Sequence, residues 1–289
     1  MMKTLYYFLL FVILTSCSKA QSSDSTLVHQ DSLSVGTFDF ITNLPNDWYR
    51  FGSAAWDTKY IPLYAGITVS TLATIAYDRE MYDPVKDWYQ SNKTVAYIHD
   101  RGVDIGDGKF QFGIAIGFGL YGWAADDKRA LRTASQVTEV ILAGGAVVQV
   151  LKHLTGRESP FVTTAPSTGR WDFFPNQIEY HKHVPHYDAF PSGHVTTALA
   201  TLTVVCENYP EATWLPYVGY PAVSLLALGM VGQGIHWVSD YPLAIALGYG
   251  FGQIVAHKDF PHKNGKSQSS IYPILYPNGT FTLNYSLSW

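Results

Sequence analysis

Charge is scarce in this chain. Lys, Arg, Asp and Glu make up 15% of its 289 residues, against 47% hydrophobic ones. That balance suits a tightly packed helical bundle or a membrane protein better than an ordinary soluble domain. Positive charge is not in excess either. A net charge of −4 offers no basic face, which argues against nucleic acid as a partner. Cysteine is rarer still, with Cys17 and Cys206 the only two. No intramolecular disulfide framework is possible if Cys17 is acylated or removed. Internal repeats are absent, which excludes solenoids and propellers. The acidic Asp104-Ile105-Gly106-Asp107-Gly108 segment lacks the ligand spacing of an EF-hand loop and reads as a turn and helix start.

Aromatic and apolar residues fill the space that charge leaves. Aromatics are 15% of the chain, including 20 Tyr and 8 Trp, rings that suit interfaces and pocket walls. The Trp48, Tyr49 and Trp56 cluster reads as core packing, with a lipid contact or a lid as the alternatives. The length fits one large domain with short appendages. Residues 1–20 read as a signal peptide: Lys3 is a short positive n-region and Leu5–Leu14 an apolar h-region. Leu14-Thr15-Ser16-Cys17 resembles a bacterial lipobox, which makes Cys17 the expected lipidation site. Ser18-Lys19-Ala20 offers a rival cleavage point, and an uncleaved membrane anchor is the alternative. Residues 21–45 follow as a polar, Ser-rich tether, 46–260 as the main helical domain, and 261–289 as a tail. In the tail, Ile271–Tyr276 and Phe281–Trp289 around Pro277-Asn278-Gly279-Thr280 read as a β-hairpin.

Six apolar stretches predict helices: Tyr60–Tyr77, Phe110–Ala125, Ala130–His153, His194–Asn208, Leu215–Val231 and Tyr241–His257. Asp83-Pro84, Asp104–Gly108, Tyr209-Pro210 and Trp237–Tyr241 read as the breakers between them. The expected fold is therefore all-α, a six-helix bundle with a C-terminal β-hairpin. Thr155–Pro191 is a long connection rich in Pro, aromatics and His, and such connections in compact domains are usually functional. Most stretches are about 15 to 18 residues, short of the ~20 that a membrane span needs. With a cleaved signal and three spans before it, the Lys152–Pro160 segment would face the cytoplasm. An exported site therefore fits a lipid-tethered, non-spanning bundle better.

The chemistry concentrates in three places. Phe190-Pro191-Ser192-Gly193-His194 offers a hydroxyl, backbone N–H groups and an imidazole at the start of a helix. Gly234-Ile235-His236-Trp237-Val238-Ser239-Asp240 offers a second imidazole with a carboxylate four residues on, one helical turn away. Lys152-His153-Leu154-Thr155-Gly156-Arg157-Glu158-Ser159-Pro160 adds positive charge upstream. Two histidines with different partners suit nucleophilic and acid–base chemistry on phosphate. Each motif has a plainer reading by itself: a capping turn, a helix-surface pair, a solvated helix-end lysine. Trp237 reads as a pocket wall.

In this order the three segments resemble the type 2 phosphatidic acid phosphatase / vanadium haloperoxidase superfamily, over about residues 60 to 257. Its signature is Lys-x6-Arg-Pro, then Pro-Ser-Gly-His, then Ser-Arg-x5-His-x3-Asp. The resemblance implies that His236 is the nucleophile forming a phosphohistidine, that Asp240 orients it, and that His194 is the general acid. Lys152, Ser192 and the Gly193 N–H would bind phosphate. No metal is implied, since side chains neutralise the charge; vanadate could occupy the phosphate site. Two positions depart from the signature. Its arginines fall on Ser159 and on Met230 of Gly229-Met230. Arg157, two residues early, is the expected substitute, with Arg170 and Gln233 behind it. His181, Lys182, His183 and His186 read as loop residues near the mouth.

The resemblance implies a metal-independent acid phosphatase, and the signal-like N-terminus places it as an exported protein on the periplasmic side of a bacterial cell envelope. Its substrate would be a phosphorylated small molecule or a lipid such as phosphatidate, undecaprenyl diphosphate or lipid A, and its membrane association would be through the lipid anchor. Two alternatives stand beside it: a weakened homologue that binds phosphate or lipid headgroups without turnover, and a vanadium-dependent haloperoxidase.

Overall fold

The computed structural model describes residues 36, 38–94, 96–97, 107–257, 268–275 and 281–288. The signal peptide, Cys17, most of the tether, residues 104–106 and the turn expected at 277–280 lie outside the described residues.

Helix starts and stops follow local chemistry. Helix α1 (Asp39–Thr42) leads into α2 (Leu44–Ala55). Pro45 lies in the first turn of α2, where a missing N–H breaks no intrahelical bond. Helix α3 (Ile61–Ala76) again has Pro62 in its first turn, and α4 (Asp78–Ser91) follows after one residue. Together with the 3₁₀ turn before α3, these two helices form a pair bent by 66°. Helix α5 (Gly108–Ala125) begins where Asp107 accepts from the Lys109 N–H at 2.9 Å, and it ends at Asp126 in the left-handed region. Helix α6 (Lys128–Thr155) is capped by Asp127, which accepts from the Ala130 N–H at 3.0 Å. The short α7 (Gln177–Lys182) lies inside the long connection. Then come α8 (Gly193–Asn208), α9 (Trp214–Gly232) and α10 (Tyr241–Ala256).

The centre is the trio α6, α8 and α10, with α5 packed on α6, and α9 on α8 and α4. Val137, Val140 and Val148 of α6 meet Val204 of α8 and Leu247, Phe251 and Val255 of α10 in one buried cluster. Each such side chain contributes about 1.5–3 kcal/mol by leaving water. Helices α8 and α10 approach closely because α10 carries glycines at the contact. A Cβ on Gly248 would lie 2.6 Å from the Thr196 carbonyl oxygen, and one on Gly252 would lie 2.5 Å from Thr203 Cβ.

The expected six-helix architecture is corrected. The six apolar stretches fall on α3, α5, α6, α8, α9 and α10, but α1, α2, α4 and α7 are also helical, so the count exceeds six. The additional helices are amphipathic or very short, and a search for apolar runs passes over them. Helix α4 even runs through Pro84, which reads as a breaker. Buried Tyr82, Val85 and Tyr89 anchor it and offset the one lost backbone bond. In the tail, residues 268–275 and 281–288 are two antiparallel strands, β1 and β2, with Gln268 opposite Ser288 and Leu275 opposite Phe281.

The expected shortness of the helices also needs correction. Lys128–Thr155 and Trp214–Gly232 are long and apolar enough to cross a membrane, and the bent pair is a third such element if it counts as one span.

Candidate active site

The last turn of α6 and the first turn of α8 meet at one end of the bundle. Lys152 is almost buried, and its Nζ lies 3.1 Å from Asp188 Oδ2. Gly156 then takes φ +53 and ends α6, and its N–H donates to the Lys152 carbonyl at 3.0 Å. A Cβ here would lie 2.1 Å from the Asp172 carbonyl oxygen, so glycine is required both by the turn and by the close approach.

The connection that follows is firmly tied. The Glu158 N–H donates to the Arg170 carbonyl at 2.9 Å, Ser159 N–H to the Pro185 carbonyl at 2.9 Å and Ala189 N–H to the Arg157 carbonyl at 3.0 Å. It delivers Ser192 to the N-cap of α8, where its Oγ accepts from the Val195 N–H at 3.4 Å. The Gly193 Cβ position lies 3.9 Å from Lys152 Nζ. The positive end of the α8 dipole and an ammonium group therefore converge on one spot, a favourable place for an anion.

His194 follows directly. Its ring lies edge-to-face against His236, with centroids 6.3 Å apart. His236 arrives through Gly234, at φ +78, where a Cβ would lie 2.9 Å from both Phe161 Cβ and the Tyr82 hydroxyl oxygen. Asp240 divides its oxygens between two tasks. Oδ2 faces His236 Nδ1 at 3.3 Å and accepts from the Trp237 N–H at 2.8 Å, while Oδ1 accepts from Arg157. An Nδ1–H directed at a carboxylate leaves the lone pair on Nε2. Burial, then the positive charge available to His236 and Lys152, pushes His194 down to about 4, against the opposing pull of Asp107 and Asp188. His194 is therefore neutral at pH 7 in the free protein.

Of the expected site residues, Lys152, Ser192, Gly193, His194, His236 and Asp240 come together at this end. Arg157 comes too, but as a support behind Asp240. Its guanidinium is wholly buried. Nη1 donates to Asp240 and to Ser239 Oγ (2.7 Å), and Nη2 donates to Asp78 and to Thr168 Oγ1 (2.8 Å). The cation stacks on Trp171 at 4.6 Å, with Trp237 at 5.7 Å. The expected role of Arg157 as a substitute phosphate ligand is corrected accordingly, because its two terminal nitrogens are held by protein oxygens. Met230, at the other signature position, is fully buried with Ala198 and Leu226. Arg170 is exposed and lies 3.5 Å from Glu158. His186 also faces Glu158, at 3.4 Å, while Lys182 and His183 pair with Glu179. Among the described residues, no group of three His, Cys, Asp or Glu could hold a metal ion.

Two residues of this region carry no sequence signal. Asp78 opens α4 and Asp188 lies in the connection; only tertiary proximity reveals them.

Residues 134–263 match the PAP2 superfamily. The matched segment, 130 of the 289 residues, is similar to that superfamily. The match spans α6 to α10 and every motif named above from Lys152 to Asp240, and it supports a phosphatase-type function. No curated protein matches the chain by sequence. One solved structure, the transmembrane PAP2 type phosphatidylglycerolphosphate phosphatase from Bacillus subtilis, superposes with a TM-score of 0.41 at 12% identity, covering 75% of this chain and 94% of that one. At the two positions where the resemblance expects arginines the chain has a serine 1% exposed and a methionine packed in the core.

Proposed function

We propose that the protein is a metal-independent phosphatase that hydrolyses a phosphomonoester or pyrophosphate, on a lipid or a small molecule, through a phosphohistidine on His236. The observation that carries this reading is the His194–His236 pair, with rings 6.3 Å apart and Asp240 behind one of them. Lys152 and the N–H groups at the start of α8 neutralise the phosphoryl oxygens. His236 Nε2 attacks phosphorus in line, a P–N bond forms, and the P–O bond to the leaving group breaks. Asp240 stabilises the positive imidazole ring. His194 gives its proton to the departing oxygen. Because His194 is neutral in the free protein, its proton arrives with the substrate, whose negative charge raises the His194 pKa. Water then attacks phosphorus, His194 accepts its proton, the P–N bond breaks and inorganic phosphate leaves.

The exported, cell-envelope setting rests on the signal-like N-terminus and on Cys17 as a lipid anchor. Membrane association has further support in the exposed apolar surface of α3, α5 and α9, where Val69, Leu72, Ile116, Leu120, Val218 and Leu225 are more than half exposed. Vanadate, a phosphate mimic, would meet Lys152 and the start of α8.

The test is turnover of purified protein on soluble and lipid phosphates beside His236→Ala. The variant should lose at least about 10³-fold in kcat. Unchanged turnover in His236→Ala overturns the mechanism. A second reading, a phosphate-binding homologue without turnover, is favoured by Ser159 and Met230. It predicts phosphate binding by the native protein with no hydrolysis across the same panel.

A further inference from the structure

Behind the proposed nucleophile lies a second layer of charge. Asp78, Arg157 and Asp240 are all fully buried and in direct contact. Arg157 bridges the two carboxylates, one on each terminal nitrogen. Asp78 is gripped from several sides: it accepts from Ser239 Oγ at 2.8 Å, from Thr168 Oγ1 at 2.9 Å and from the Ser239 N–H at 3.3 Å. Ser239 closes the circuit, because its Oγ also accepts from Arg157. Asp78 belongs to the bend between α3 and α4, so a distant part of the chain reaches to within one guanidinium of Asp240.

The charges decide what this arrangement does. With Asp240 and Arg157 alone, the cation would cancel the carboxylate and His236 would face a neutral pair. With both carboxylates ionised, Asp78 supplies a second negative charge, and the buried trio carries a net −1. A positive ring at His236, as imidazolium or as phosphohistidine, then makes the cluster neutral. In a site where little solvent screens the groups, an unbalanced charge is costly and a balanced one is favoured.

We propose that Asp78 is a positioning residue for His236: through Arg157 it keeps Asp240 oriented and leaves it an uncancelled negative charge with which to stabilise the positive ring. The proposal rests on the phosphatase reading for its kinetic consequence, but its electrostatic core is measurable without turnover.

Asp78→Asn keeps the shape and removes the charge. The His236 imidazole, followed by NMR titration of ring-labelled protein, should lose its proton about one unit lower in pH, a roughly tenfold change in its proton affinity. In kinetics, the acidic limb of kcat/KM should move the same way, and kcat should fall roughly tenfold or more with KM little changed. Thr168→Val removes a hydrogen bond from the same pair without altering charge, so it should leave both the titration and the limb in place.

If Asp78→Asn does not fold, Asp78→Asn/Arg157→Gln serves instead. It restores the net −1, with Asp240 as the one buried carboxylate left facing His236, and its His236 titration should lie at the native value. An unchanged His236 titration in Asp78→Asn, or a displaced one in the double variant, overturns the proposal. Loss of turnover in His236→Ala together with an unmoved titration in Asp78→Asn would sink this inference and leave the phosphatase reading standing. Absence of turnover in the native protein with a shifted titration would do the reverse.

Discussion

The two ends of the bundle are built from the same helices and could hardly differ more. At one end, where α6 and α9 finish and α8 and α10 begin, Lys152, Arg157, Ser192, His236, Ser239 and Asp240 are each under 9% exposed. Polar groups are taken out of water there, and they are paired. At the other end, around the last turn of α5 and the start of α3 and α9, Trp56, Trp123, Trp214 and Tyr217 are 61–90% exposed. Large rings are left uncovered there. Isolated exposed apolar residues are ordinary, but a rim of Trp and Tyr beside apolar helix faces is the composition of a membrane–water boundary. The difference teaches that burial at these two ends follows function as well as hydrophobicity. Charge is hidden where chemistry is proposed, and apolar rings are displayed where lipid contact is proposed.

The largest effect should come from breaking the charge-compensated end. Arg157→Met leaves Asp78 and Asp240 as two uncompensated buried carboxylates. It should cost about 3–5 kcal/mol of stability, read as a collapse in melting temperature of the detergent-solubilised protein. A native-like melt would show that the carboxylates take up protons readily and that the contrast between the ends is shallow. An intermediate effect should come from His194. Its proton affinity is lower folded than unfolded, so the unfolded chain binds more protons between about pH 6.5 and about 4. Stability is therefore lost as pH falls through that window. His194→Gln should flatten the loss by on the order of 2 kcal/mol between pH 7 and pH 4. Parallel pH–melting curves for the two proteins would contradict it. The smallest effect belongs to the other end. Trp123→Ala should change the melt by no more than about 0.5 kcal/mol and leave turnover alone, while weakening co-sedimentation with lipid vesicles. A change in turnover would mean that the two ends are coupled.

Much of this contrast was legible in the sequence. The apolar runs marked the long helices to within two residues, because buried helices rich in Gly, Ala and β-branched residues leave a continuous signal. Ser-Gly-His and His-x3-Asp marked the two imidazoles, because those spacings are local. What could not be read is what long-range contact decides. Asp78 is an acid in a helix's first turn until α4 folds against the 238–240 turn. Arg157 looks free to meet a ligand until the connection places Thr168, Asp78 and Asp240 on its two terminal nitrogens. Helix α4 was hidden by Pro84, since the packing of Tyr82, Val85 and Tyr89 that sustains it is tertiary.

The glycines of α10 have one more consequence. Because Gly248 and Gly252 let α10 lie directly on α8, the spacing between the helix that carries His194 and the helix that follows Asp240 is set by close backbone approach. The connection between α6 and α8, by contrast, buries Arg157, Ser159 and Ser192 but exposes Phe161, Phe173 and Phe174. Variation can accumulate at those exposed rings while the reacting pair stays where it is. The fold thus separates the part that must not drift from the part that can be retuned.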